Sequence, residues 1–176
     1  RTDHTMSTEA ALPVAALSPE QQLSYAEEII RLEARALDQL ARRLDPEFCR
    51  AAQLLFQCRG CAIVTGIGKA GLIGQKVAAT LSSTGTRGHF LHPAEAVHGD
   101  LGRIHRDDVV VALSKSGETE ELLRLVPSLL RLRVPIVAVT PRAARRLGRA
   151  AAGALGLGPL PEACSPGLAP STSTPA

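Results

Sequence analysis

Six residues, Ser114-Lys115-Ser116-Gly117-Glu118-Thr119, place three hydroxyls and a glycine directly behind the aliphatic run Val109–Leu113. A buried strand that ends in such a loop and opens a helix presents hydroxyls, loop amides and the positive helix end to one spot. A dianionic phosphate suits that combination. Gly117 permits a backbone turn that a side chain would obstruct. An ordinary N-cap with Ser and Glu in a capping box would account for one hydroxyl, not three. Glu118 would repel a phosphate if it pointed inward, so it is expected to face another part of the ligand.

A second glycine-bearing loop, Gly66-Ile67-Gly68-Lys69-Ala70-Gly71, also joins an apolar run to a helical pattern. Its glycines lie too close together for a P-loop, and no Ser or Thr follows the lysine. The dinucleotide fingerprint fails as well, because its third glycine comes later. A structural turn explains the glycines; Lys69 adds an ammonium able to approach a ligand oxygen or a developing oxyanion. His92 and His98 stand six residues apart across Pro93, a spacing unsuited to shared metal ligation on one helix. They are expected to shape a pocket wall or an oligomer contact, and no metal or other cofactor is expected.

The elements that must position these loops follow from punctuation and periodicity. Ser18-Pro19-Glu20 gives an N-cap, a first-turn proline and an acid, opening a long helix to about Leu44. Asp45-Pro46-Glu47 repeats the signal for a helix to about Cys58. Strands are predicted at 61–65, 88–91, 109–113, 134–140 and 153–157, with Pro135 near a strand start where a missing donor matters least. Between them come helices from near Leu72 to Leu81, from Glu118 to Leu132, and over 142–150. Strands alternating with helices imply right-handed βαβ units: a three-layer α/β fold, with a parallel five-stranded sheet between helices and a long N-terminal helix. Ligands in such sheets sit beyond the carboxyl ends of the strands, which gathers Gly66–Gly71, Ser114–Thr119 and the segment from Pro161 at one rim. Residues 1–17 read as a flexible lead-in and 18–176 as one domain.

The 176 residues are 45% apolar but 2% aromatic, so Leu, Val, Ile and Ala must build the core. Net charge is +3, and Arg142, Arg145, Arg146 and Arg149 form the sole basic cluster, expected to be the solvated face of a short helix. A basic, groove-reading face is absent, so no nucleic-acid partner is expected. Cys49, Cys58, Cys61 and Cys164 lack the paired spacing of a zinc ribbon and are expected as reduced, buried thiols. No apolar run approaches the roughly 18–20 residues that span a bilayer. No signal peptide is evident, Met6 is the sole methionine, and the cytoplasm is the expected compartment.

With these loops in view, the chain resembles the sugar isomerase (SIS) domain superfamily, with its flavodoxin-like sheet, and within it is similar to bacterial arabinose-5-phosphate isomerases. The matching stretches are Gly66–Gly71, Ala79–Thr86, His92–Gly102, Ser114–Glu118 and Glu162–Pro170. The serine loop is shared by SIS domains generally, whereas the His-Pro…His-Gly-Asp-Leu-Gly and Glu-Ala-Cys…Gly-Leu-Ala-Pro stretches are narrower. The resemblance implies interconversion of D-ribulose 5-phosphate and D-arabinose 5-phosphate through an enediol, supplying the precursor of an eight-carbon lipopolysaccharide sugar. It implies catalytic roles for Lys69, Glu118 and Glu162, leaving open which carboxylate is the base. It implies phosphate or substrate contacts from Gly68, Ser114, Ser116, Gly117 and Thr119, and a closing loop with Ser171, Thr172 and Ser173. It also implies a homotetramer.

Two departures stand out. Ala70 and Leu72 replace a Ser and a polar residue found in many relatives. Relatives also continue beyond residue 176 with a helix, a catalytic His and usually a pair of CBS modules, so the chain is expected to be a shortened form that binds better than it turns over. The alternatives are a non-catalytic sugar-phosphate sensor, disfavoured because the first 60 residues carry no basic recognition helix, and an isomerase for a six- or seven-carbon phosphate.

Overall fold

The computed structural model describes residues 17–159. Helix α1 (Pro19–Arg43) starts where the Ser-Pro-Glu signal places it, with Ser18 and Gln21 exchanging the two bonds of a capping box. Its residues up to Asp38 belong to one compact unit and residues 39–159 to another. Along the first part, Leu23 and Ile30 are largely exposed.

In the second unit, Asp45 caps α2 (Pro46–Phe56) by accepting the Glu47 N–H at 2.9 Å, with Pro46 at the first helical position. The order that follows is β1 (Ala62–Gly66), α3 (Lys69–Ser83), β2 (Gly88–Phe90), α4 (Pro93–Val97), a 3-10 turn at Asp100–Arg103, β3 (Val109–Leu113), α5 (Glu120–Leu132), β4 (Ile136–Thr140), α6 (Arg146–Ala150) and β5 (Gly153–Gly156). All neighbouring strands are parallel, in the order β2-β1-β3-β4-β5.

Side-chain alternation splits the core into two layers. Ile63, Val110, Ala112, Ile136 and Ala138 face Leu122, Leu125 and Leu129 of α5, with Leu147 and Ala96 beside them. Ala62, Val64, Val109, Val111 and Val137 face Ala51 of α2 and Ala78 of α3. The aliphatic strands are therefore buried on both faces, as a helix-covered parallel sheet requires.

Several boundaries differ from expectation. α3 starts three residues earlier than predicted, at Lys69, because a glycine run lets the first turn close against the strand end. α5 starts two residues late, at Glu120, and ends at Leu132 as expected, passing through Pro127 on its exposed side, where water can take the carbonyl that loses its partner. The helix expected over 142–150 begins at Arg146; Thr140 Oγ1 accepts the Arg142 N–H at 3.2 Å and Arg142 O accepts the Arg145 N–H at 3.0 Å, forming a turn first. The described cysteines are all free thiols, but Cys49 is exposed and Cys58 and Cys61 are only half-buried, rather than buried as expected. No described helix is long and apolar enough to cross a membrane.

Candidate functional site

β1 and β3 are adjacent, and their ends are level: Gly66 is in register with Leu113. From β1 the chain returns through α3 to β2 on one side; from β3 it returns through α5 to β4 on the other. α3 covers one face and α5 the opposite face. The two loops thus diverge from neighbouring strand ends and leave a crevice between them, the topological switch point of the sheet.

The glycines of the first loop have distinct duties. A Cβ on Gly66 would come within 3.1 Å of the Ala70 carbonyl, and one on Gly71 within 2.9 Å of the Gly66 oxygen, so both permit close packing of helix on strand. Gly68 adopts φ +59° and has open space around its Cβ position. It is also the N-cap of α3 and offers no side-chain cap, so the first amides of this 15-residue helix face the crevice rim without one. Lys69, the first helical residue, is exposed.

The second loop divides its hydroxyls. Ser114 is 4% exposed; its N–H prolongs the β3–β4 ladder to Val139 O at 3.0 Å. Its Oγ lies 2.7 Å from Thr119 Oγ1 and accepts the Gly117 N–H at 3.0 Å, so this hydroxyl shapes the loop. Ser116 is exposed and accepts the Glu118 N–H at 3.0 Å. Thr119 holds the N-cap position of α5 without bonding to its amides, because its hydroxyl turns to Ser114. A second uncapped helix start, α5, therefore meets the crevice beside α3. Gly117, buried at φ +68°, could not carry a Cβ: it would meet Arg145 Cβ at 2.9 Å.

The carboxylate of Glu118 turns toward α6. Oε1 accepts the Arg146 N–H at 3.2 Å, and Oε2 lies 4.0 Å from the Arg146 Nε. Beside it, Gly117 O accepts the Leu147 N–H at 3.1 Å. Arg142, Arg145, Arg146 and Arg149 are all exposed, as expected of a solvated cluster, and the backbone amide of Arg146 adds the bond to Glu118. Sequence reasoning had no signal for it, since the partners are 28 residues apart and meet only because β3 and β4 are neighbours.

His92 and His98 bracket α4, at its N-cap and C-cap, so Pro93 occupies the favoured first position instead of breaking the element. His92 Nδ1 accepts the Ala94 N–H at 3.2 Å, which in a neutral ring puts the proton on Nε2. Its ring meets Phe90 edge-on at 6.5 Å. His98 is exposed. His92 follows β2, the strand beside β1, and so lies at the same end of the sheet as the two loops. Glu162, Ser171, Thr172 and Ser173 lie outside the described residues. Among the described residues no group of three or more His, Cys, Asp or Glu gathers as a metal site.

Residues 54–176 match the SIS domain family. The chain is 44% identical over 147 residues to "Arabinose 5-phosphate isomerase KdsD" of Escherichia coli K12, covering 84% of this chain and 45% of that protein. The protein of the same name from Pseudomonas aeruginosa is 45% identical over 149 residues, covering 85% and 46%. The chain spans less than half the length of these relatives. Among solved structures, that of the Escherichia coli CFT073 protein c3406 in complex with arabinose 5-phosphate superposes with a TM-score of 0.85 at 34% identity, covering 90% of this chain and 85% of that one.

Proposed function

Because the chain belongs to the SIS domain family, we propose that it binds a sugar phosphate in the β1/β3 crevice and interconverts its aldose and ketose forms. The preferred pair is D-ribulose 5-phosphate and D-arabinose 5-phosphate, the latter feeding an eight-carbon lipopolysaccharide sugar. The observation that carries this reading is the convergence of two uncapped helix starts with Ser116 and Thr119 at one switch point. Two helix ends favour negative charge at the same place, and each acts only near its own first turn. Its relatives named as arabinose 5-phosphate isomerases, and the solved structure that holds arabinose 5-phosphate, support the choice of sugar.

In this scheme the phosphate takes the α5 amides with Ser116 and Thr119. The sugar's reactive end extends toward Lys69 and Glu118. A proton leaves C1 of the ketose while the C2 oxygen gains one, giving the enediol; the C1 hydroxyl then loses its proton while C2 takes one, giving the aldose. C1 is oxidised as C2 is reduced, so the electrons stay within the substrate. The Lys69 ammonium steadies the oxygen that carries charge along the way. The same reading makes the chain a cytoplasmic homotetramer, whose subunit contacts would cover Leu23 and Ile30.

Incubation of the chain with ribulose 5-phosphate, followed by NMR, should show arabinose 5-phosphate. Lys69→Ala should lower kcat by about a hundredfold while changing KM by less than about threefold, as expected for a donor worth most in the transition state. Tight sugar-phosphate binding without turnover would replace the isomerase with a sensor. No uptake of any pentose phosphate would remove the site.

A further inference from the structure

Glu118 occupies an awkward place for a carboxylate. It follows the φ +68° turn at Gly117 and precedes the N-cap of α5, where a bound phosphate would repel it. Its side chain is 33% exposed and nevertheless has a defined position, because α6 holds it. One oxygen accepts the Arg146 N–H; the other faces the Arg146 guanidinium. That amide is the first of α6, which no intrahelical carbonyl can take, so Glu118 supplies the cap that Arg145 lacks. The Leu147–Gly117 bond fixes the loop against α6 independently of either charge.

From this geometry we infer that Arg146 is a positioning residue, which holds the Glu118 carboxylate against α6 and aside from the phosphate cradle. The inference rests on the isomerase reading of the site. It assigns the grip to two separable donors. The amide bond, at 3.2 Å to a charged acceptor, is the stronger; the guanidinium, at 4.0 Å and well exposed, is the weaker.

Three substitutions separate the donors. Arg146→Ala removes the guanidinium and keeps the amide; Arg146→Lys restores a charge. Arg146→Pro removes both, at the first helical position where proline is favoured and after Arg145, whose φ −80° and ψ 174° suit a residue before proline. Arg146→Ala should lower kcat about threefold with KM nearly unchanged, and Arg146→Lys should recover most of it. Arg146→Pro should lower kcat about tenfold. In a Glu118→Gln background, Arg146→Ala should cost nothing further, since the guanidinium acts through the carboxylate.

A carboxylate readout that needs no turnover accompanies the kinetics. In chain carrying 13C-labelled glutamate, the Glu118 side-chain resonance, identified by its loss in Glu118→Gln, should shift in Arg146→Pro and shift less in Arg146→Ala. An unmoved resonance in Arg146→Pro overturns the clamp, whatever the activity. So does an equal kcat loss from Arg146→Ala in both backgrounds, or a rise in KM alone, which would make Arg146 a ligand contact. Wild-type chain that binds but never isomerises sinks the proposed function and the positioning role with it, while a moving resonance would still report the contact.

Discussion

Asp108 and Ser114 stand at the two ends of β3, 5% and 4% exposed, and they treat the amides around them differently. Asp108 reaches across the sheet base: its oxygens accept the Cys61 and His105 N–H groups, both at 2.7 Å, joining the approach to β1 with the approach to β3. Gly60 must lack a side chain, because any Cβ there would collide with that carboxylate. The Ser114 hydroxyl bonds within its own loop and leaves the α5 amides uncapped. One rim closes its polar groups on itself; the other keeps donors in hand. A buried polar group at a closed rim should matter to stability alone, whereas one at the open rim should matter to binding.

The largest effect expected from this contrast is Asp108→Ala. It strands two amides at the sheet base, each costing about 1–3 kcal/mol when unsatisfied. Thermal melting should show a fall of several degrees, with sugar-phosphate affinity preserved in the folded fraction. Loss of affinity without loss of stability would dissolve the distinction between rims.

Gly117→Ala comes next. It forces a Cβ into a φ +68° turn against Arg145, a conflict of about 1–3 kcal/mol. Since the loop carries the proposed cradle, both stability and ligand affinity should drop, measured by melting with and without arabinose 5-phosphate.

A sharper test uses the cationic cleft at the closed rim. Among the described residues, a cavity of about 710 Å³ is lined there by Ile104, His105, Arg106, Asp107, Arg131, Leu132 and Arg133. Arg131 and Arg133 lie at the end of α5, where positive side chains offset the negative end of the helix. Arg131→Gln should therefore leave pentose-phosphate affinity unchanged, while Ser116→Ala should weaken it by about tenfold, as for a hydrogen bond to a charged group. Calorimetry showing the reverse would move the anion to the other end of the sheet.

Much of this contrast was legible in the residues. Val109–Leu113, too apolar for anything but a doubly covered strand, announced the sheet centre, and Ser18-Pro19 and Asp45-Pro46 announced their helices. The loops at 66–71 and 114–119 were legible as a pair because each followed a strand. The division of labour among Ser114, Ser116 and Thr119 was not, because three hydroxyls in one loop look alike until backbone geometry turns one inward. Asp108 was missed because a single acid before a strand has the same signature whether it accepts two distant amides or none. Arg146 was missed for a related reason: its partner lies on another loop.

The smallest effect concerns an imidazole in the sheet itself. His89, in β2 opposite Ile63, has its Nε2 buried without a hydrogen-bond partner. Burial, reinforced by the nearby Arg103 and opposed by Asp108, holds its pKa below the ordinary 6.5. In the unfolded chain His89 takes up a proton near that ordinary value; in the folded chain it resists until lower pH. Between those two points the unfolded state binds more protons, so this residue subtracts stability as pH falls below about 6.5 and has no such effect above it. Melting temperature should therefore decline less steeply from pH 7 to pH 5.5 in His89→Gln than in wild type. Parallel curves would mean that the buried nitrogen takes its proton as easily in the fold as out of it.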